Sequence, residues 1–196
     1  MNNTRTALLG ALTFASVSLA PAAMAGGSLD ISLSDDVVRL GYDATQMGSG
    51  LHVSLAGLHD ADKGDMISAG LHVVDVRPST SNLYIGVGAK IFAYSTDSAD
   101  HYDDYSGAAM GVGGFFRYSI PAAPDVSVAG YAYYAPSVIS FGDTENMVVS
   151  DLRLQFALLP TARIYAGYRY NGISLDNVDR RYKLGDGAHL GLTIDF

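Results

Sequence analysis

No cysteine occurs among the 196 residues, which excludes disulfides, thiolate metal sites and a cysteine nucleophile. Glutamate is almost absent too, since Glu145 is the only one. Basic residues are few: 12 Lys and Arg stand against 20 Asp and Glu, for a formal net charge of −8. Nucleic-acid binding needs clustered Lys and Arg, so no nucleic-acid partner is expected. Beyond the N-terminal region, no segment approaches the roughly 20 continuous apolar residues of a membrane-spanning helix. What is there is 22 Gly and 13 Tyr with only 16% charged residues. That composition suits strands that pack side chains in a narrow lumen and anchor at lipid interfaces.

The N-terminus reads as an export signal. Met1 to Thr6 is polar and carries Arg5, Ala7 to Ala20 is apolar, and Pro21 breaks the run. Ala23-Met24-Ala25 is a small-x-small cleavage site ahead of Gly26-Gly27. The apolar run is too short for a transmembrane helix. Residues 1–25 are therefore expected to be a signal peptide for the general secretory pathway. Residues 26–196 are expected to form a single domain.

The remainder alternates with period two, the pattern of strands with one apolar face. Ten such segments follow in order: Leu29–Leu33, Val38–Asp43, Leu51–Leu55, Ile67–Val73, Leu83–Tyr94, Ala108–Tyr118, Val126–Tyr134, Val148–Leu158, Ile164–Tyr170 and Ala188–Phe196. Short links at 46–50, 77–82, 120–125 and 159–162 alternate with longer, more acidic ones at 95–106, 136–146 and 174–186. Outer-membrane barrels have short periplasmic turns, long external loops and an even strand number. The expected fold is all-β: a transmembrane antiparallel up-and-down β-barrel of about 10 strands, with 8 as the fallback. Leu29 to Asp43 as one long bent strand would leave an odd total or force another segment to split.

Alternation alone does not distinguish lipid from a sandwich core. Two features favour lipid. Arg39, Lys90, Arg117, Arg153 and Arg169 recur at mid-strand on the polar face, as expected of lumen side chains. Tyr42, Tyr94, Tyr118, Tyr134, Tyr168 and Tyr170 crowd the strand ends like an aromatic girdle. On the opposite face, Leu154, Leu190 and Ile194 are expected to meet lipid.

The final strand ends on Phe196 with no polar tail, which resembles the C-terminal signature of bacterial outer-membrane barrels. That resemblance implies that the β-barrel assembly machinery is a partner during biogenesis and that Phe196 is its assembly signal. Ser28-Leu29-Asp30-Ile31-Ser32-Leu33-Ser34-Asp35-Asp36, then Arg39-Leu40-Gly41-Tyr42, and the closing Gly191-Leu192-Thr193-Ile194-Asp195-Phe196 resemble the YfaZ family of small proteobacterial outer-membrane proteins. The resemblance spans the whole mature chain. It implies the outer membrane of a Gram-negative bacterium, with lipid and lipopolysaccharide as surroundings, and carries over no catalytic residue.

No Gly-x-Ser-x-Gly elbow, His-Glu-x-x-His motif, P-loop or dinucleotide fingerprint is present. Asp100-His101 and Asp103-Asp104 mimic in type the rim carboxylates and Asp-His couple of the ten-stranded omptin proteases. A solvated acidic loop is the plainer account. Rim Ser, His and Glu, as in lipid A-modifying enzymes, are poorly matched with Glu145 alone. The reading is a non-enzymatic barrel, structural or narrow-pored, with a side-chain-filled polar lumen. The alternative is an outer-rim membrane hydrolase.

Three site expectations follow from turn positions. The turn at Pro160-Thr161 opposes Asp151 to Arg169 as a lumen charge pair. The 46–50 turn opposes Asp43 to His52, and the loop near Asp62 opposes His52 to His72. Asp43, His52 and His72 would then form a row on the lumen wall, a candidate divalent-metal or pH-sensing group with ordinary hydrogen-bonded packing as the plainer alternative. The acidic loop residues Asp60, Asp62, Asp65, Asp97, Asp100, Asp103, Asp104, Asp143 and Glu145 are candidates for Ca²⁺ or Mg²⁺ shared with lipopolysaccharide phosphates. No other cofactor is expected.

Overall fold

A computed structural model describes residues 25–46, 49–75, 82–96, 105–175 and 181–196. The signal segment before Ala25 lies outside the described residues. The described residues form twelve strands: β1 (Ala25–Leu33), β2 (Val37–Gln46), β3 (Leu51–Asp60), β4 (Gly64–Val74), β5 (Leu83–Thr96), β6 (Ser106–Ile120), β7 (Ala123–Ala135), β8 (Ser140–Gly142), β9 (Thr144–Leu159), β10 (Ala162–Leu175), β11 (Arg181–Lys183) and β12 (Gly187–Asp195). Ten are long, and two (β8 and β11) are three-residue additions in the loops. A 3₁₀ turn, Ser137–Ile139, precedes β8.

The ten long strands pair antiparallel with their chain neighbours, and β12 returns to β1, closing the barrel. Closure removes the free edges that an open sheet would expose to lipid. The seam is sealed at its end, where Gly27 and Phe196 exchange two backbone hydrogen bonds of 2.9 Å. The first hairpin is two full strands, since Leu33 opposes Val38 across a tight link.

Alternation governs every wall. Leu154, Leu190 and Ile194 are 55%, 67% and 44% exposed and point outward, as the sequence pattern requires. Such a surface is stable only against lipid. Tyr118, Tyr134 and Tyr168 join it at the strand ends. Tyr94 does not: it shares the inward parity of Lys90 and Phe92, and its hydroxyl bonds Thr144 Oγ1 at 2.9 Å. Parity along a strand, not nearness to its end, decides which way a side chain points.

By the usual asymmetry of such barrels, the end carrying the β2–β3, β4–β5, β6–β7 and β9–β10 turns faces the periplasm. The two halves of the interior differ. The periplasmic half and the middle are polar. Toward the loop end the lumen holds an apolar core that includes Leu58, Met66, Phe92, Met147, Ile173 and Leu184. The expectation of a lumen polar throughout is corrected here. Strand ends such as Ile173 to Leu175 place apolar residues at inward positions that the shorter predicted strands did not reach.

The β11 segment caps this core. Leu184 is fully buried, Gly185 donates its backbone N–H to Asp60 Oδ2 at 2.9 Å, and the Tyr182 hydroxyl donates to the Lys63 carbonyl at 2.8 Å. Gly185 has φ +64°, and a Cβ there would meet the Leu58 side chain at 2.8 Å. Only glycine suits both the left-handed backbone and the close approach.

Candidate functional site

Asp30 and Asp151 anchor a chain of charges across mid-lumen. Asp30 Oδ1 accepts from Arg39 at 2.6 Å, and its Oδ2 accepts from Arg153 at 3.0 Å and from Thr193 Oγ1 at 2.9 Å. Arg153 also donates through Nε to Asp151 Oδ1 at 2.8 Å. Asp151 Oδ2 faces Arg169 Nε at 3.6 Å and His189 Nε2 at 3.2 Å. Arg169 then donates to the Ser32 hydroxyl at 2.6 Å. Both carboxylates are almost wholly buried. In so enclosed a site each charge needs a partner, and alternation of sign supplies it.

The predicted opposition of Asp151 and Arg169 is the register found. The basic residues Arg39, Lys90, Arg117 and Arg153 all line the lumen. What sequence reasoning missed is that Arg153 bridges the two carboxylates and that Asp30 is one of them. The polar position of Asp30 in an otherwise alternating strand was visible. Arg39 comes from the adjoining β1–β2 hairpin, but Thr193 comes from the β1–β12 seam and Arg153 from across the lumen, which no local turn specifies.

The histidine row differs in register. His52 opposes His72, but it opposes Thr45 rather than Asp43, because the β2–β3 link shifts the pairing by two residues. A two-residue shift preserves the face, so Asp43 still reaches His52 Nε2, at 3.3 Å. His52 Nδ1 shares a 2.8 Å hydrogen bond with Thr45 Oγ1, and His72 Nε2 shares one of 2.8 Å with the Tyr133 hydroxyl. The two imidazole rings sit edge to face, with centroids 5.5 Å apart, and Phe115 packs against both. Among the described residues, no three His, Asp or Glu side chains converge as a metal cluster.

Below the charge chain lies a cavity of about 170 Å³. Its walls carry Arg39, Lys90, Arg117, Arg153 and Arg163 against two carboxylates, Asp30 and Asp43. It reaches the turn end, where the Asp43 side chain is 38% exposed. Upward it ends against the Arg153 bridge and the apolar core. Among the described residues the recess thus opens toward the turn end.

At the loop end, Asp60 is buried and serves as the strut for Gly185 and for the backbone N–H of Asp62. Asp65 bonds His59 Nδ1 at 2.7 Å, and Asp143 accepts from the Ser106 backbone at 3.0 Å. Asp62 and Glu145 stay on the surface. Asp97, Asp100, His101, Asp103 and Asp104 lie outside the described residues.

Comparison with known proteins agrees with this architecture. The family model described as "YfaZ precursor" matches residues 4–196. The outer membrane protein YfaZ of Escherichia coli strain K12 is 26% identical over 188 residues, covering 89% of this chain and 98% of that one. Among solved structures, the outer membrane protease OmpT of E. coli superposes with a TM-score of 0.57 at 10% identity, covering 88% of this chain and 93% of that one. That likeness is one of fold alone. A KdgM porin aligns at a TM-score of 0.46 and 13% identity over 87% of this chain and 99% of its own.

Proposed function

The chain belongs to the YfaZ family of outer-membrane proteins, and from that premise we propose that it is a non-enzymatic, non-conducting barrel of the outer membrane. The observation that carries this reading is the double closure of the lumen. The Asp30–Arg153–Asp151 bridge spans its middle, and the core around Leu184 fills its outer end. A narrow barrel is readily filled by side chains. An ion would have to break two buried charge pairs and then cross an apolar layer, and each step opposes permeation.

Lipid and lipopolysaccharide would surround the apolar wall, and Phe196 would present the last strand to the assembly machinery. Recording from purified, refolded protein in planar bilayers is expected to show no discrete conductance steps. Steady single-channel openings would overturn the closed-lumen reading. Incubation with lipopolysaccharide or basic peptides is expected to release no products, and turnover of either would return the rim-hydrolase alternative.

A further inference from the structure

Lys90 is a buried cation whose charge the protein does not answer. Its side chain is almost fully enclosed. Among the described residues no carboxylate stands within 4.0 Å of it, and its ammonium makes no hydrogen bond. Its ammonium lies over the faces of Tyr131 and Tyr133, each with its ring centroid 5.6 Å from Nζ. Four of the other lumen cations differ. Arg39 and Arg153 share Asp30, Arg153 and Arg169 share Asp151, and Arg163 meets Asp195 at 2.6 Å.

Space has been left around this ammonium. Lys90 faces Gly70 on one neighbouring strand and Gly111 on the other. A Cβ at Gly70 would sit 3.3 Å from Lys90 Cγ, and one at Gly111 would press on Phe92 and Tyr133. Both missing side chains let the lysine stem lie against the wall while its head enters the cavity it lines. Nearby, the Ser54 hydroxyl and His72 Nδ1 are buried without a hydrogen-bond partner.

An unpaired charge in an enclosed site is costly unless something solvates or neutralises it. Of the carboxylates lining the cavity, Asp30 is held by two arginines and Asp43 by His52. Arg117, stacked over Tyr84 nearer the mouth, adds a second cation with no carboxylate within 4.0 Å. Cations on walls of low dielectric focus a positive potential along the recess and draw anions inward. A cavity of about 170 Å³ is close to the size that accepts a benzene-sized ligand.

We propose that the periplasmic recess is a binding site for a small oxyanion, a phosphate or a carboxylate, whose oxygens accept hydrogen bonds from Lys90 Nζ. Three donors on one ammonium suit a ligand with several acceptor oxygens, and such charge-assisted bonds are the strong ones. The site lies inside the wall, away from the bilayer, so its ligand is a free periplasmic anion rather than a lipid headgroup. This goes beyond the closed-barrel reading and does not rest on it. A conducting barrel with the same wall would hold the same site, so the two experiments fail separately.

Calorimetric titration of the refolded full barrel with sodium phosphate, and separately with acetate, tests the proposal against chloride at matched ionic strength. Saturable one-to-one binding of at least one oxyanion is expected, weakened tenfold or more in Lys90→Met and unchanged in Lys183→Gln at the loop end. Heat-modifiable migration on a gel checks that each variant is folded. If Lys90→Met does not fold, Lys90→Gln takes its place with the same expectation. Equal affinity in the wild type and the lysine variant, or no saturable binding of either oxyanion to the wild type, overturns the proposal.

Discussion

Asp151 and Arg169 face each other across the β9–β10 hairpin, yet the shorter bond to Asp151 comes from Arg153, two residues along its own strand. Arg169 stands at 3.6 Å while Arg153 Nε stands at 2.8 Å. Directly opposed residues on adjacent strands are well placed for pairing. Here the Arg169 guanidinium is drawn to the Ser32 hydroxyl at 2.6 Å, and the arginine at i+2 on the same face makes the closer contact. The opposed pair is one link in a network.

That network makes a prediction about coupling. Removing one partner of a buried pair leaves the other uncompensated and costs about 3–5 kcal/mol, whereas removing both costs less than the sum. A double-mutant cycle on Asp151→Asn and Arg153→Met, read by urea unfolding in lipid vesicles, is expected to show strong coupling. The cycle on Asp151→Asn and Arg169→Met should show weaker but measurable coupling. Additive behaviour in both cycles would contradict a network centred on Asp151.

The outward face yields a second prediction. Leu154 and Leu190 sit mid-strand on the exposed apolar surface. Arginine at either position is expected to cost about 2–4 kcal/mol of folding free energy in bilayers, falling toward zero near the interfaces. Unfolding of Leu154→Arg in vesicles measures this. Unchanged stability would place that face against something other than lipid.

The histidine pair makes a third. Both rings already hold hydrogen bonds, His52 to Thr45 and His72 to Tyr133, and both pack on Phe115. Zn²⁺ titration is expected to give the same curve for the wild type and for the His52→Ala, His72→Ala double variant. Tyr133→Phe, which strips His72 of its partner, is expected to cost about 1–3 kcal/mol. Zinc affinity that vanishes in the double variant would establish these residues as ligands.

Period-two alternation was legible almost everywhere, because lipid on one side and a packed lumen on the other impose the same parity on every strand. Ten strands and the outward set around Leu154 follow from it, and the turn at Pro160-Thr161 adds the Asp151–Arg169 register. Where legibility stopped, the cause was physical. The β2–β3 link absorbs two residues more than a tight turn around 46–50 needs, so Asp43 directly opposes Ser54 and reaches His52 only diagonally. Tyr94 sits near a strand end, but its parity with Lys90 sends it inward. The bond between Arg153 and Asp30 spans 123 residues of sequence and crosses the lumen, and no local pattern carries that information.

The cap at the loop end makes the last prediction. Asp60 is buried and spends one carboxylate oxygen on the Gly185 N–H and the other on the Asp62 N–H. Asp60→Ala leaves the buried Gly185 donor unsatisfied, at a cost of about 1–3 kcal/mol. The effect should be local, since the β10–β11 pairing and the buried hydrogen bond from Asn171 Nδ2 to the Leu184 carbonyl still hold the segment, beside Tyr182 to Lys63 and Lys63 to Asp186. Arg181 and Lys183 already stand on the surface. A looser cap lets their backbone enter the protease, so trypsin added to the outer side of proteoliposomes should cleave there faster in Asp60→Ala than in the wild type. Conductance should still be absent, because the Asp30–Arg153–Asp151 bridge lies below the cap and does not depend on Asp60. Adding Arg153→Ala to Asp60→Ala removes the second barrier, and that double variant is the one in which ion steps are expected. Equal trypsin resistance in Asp60→Ala would show that the cap is held by other contacts. Conductance in Asp60→Ala alone would mean that the mid-lumen bridge does not block ions.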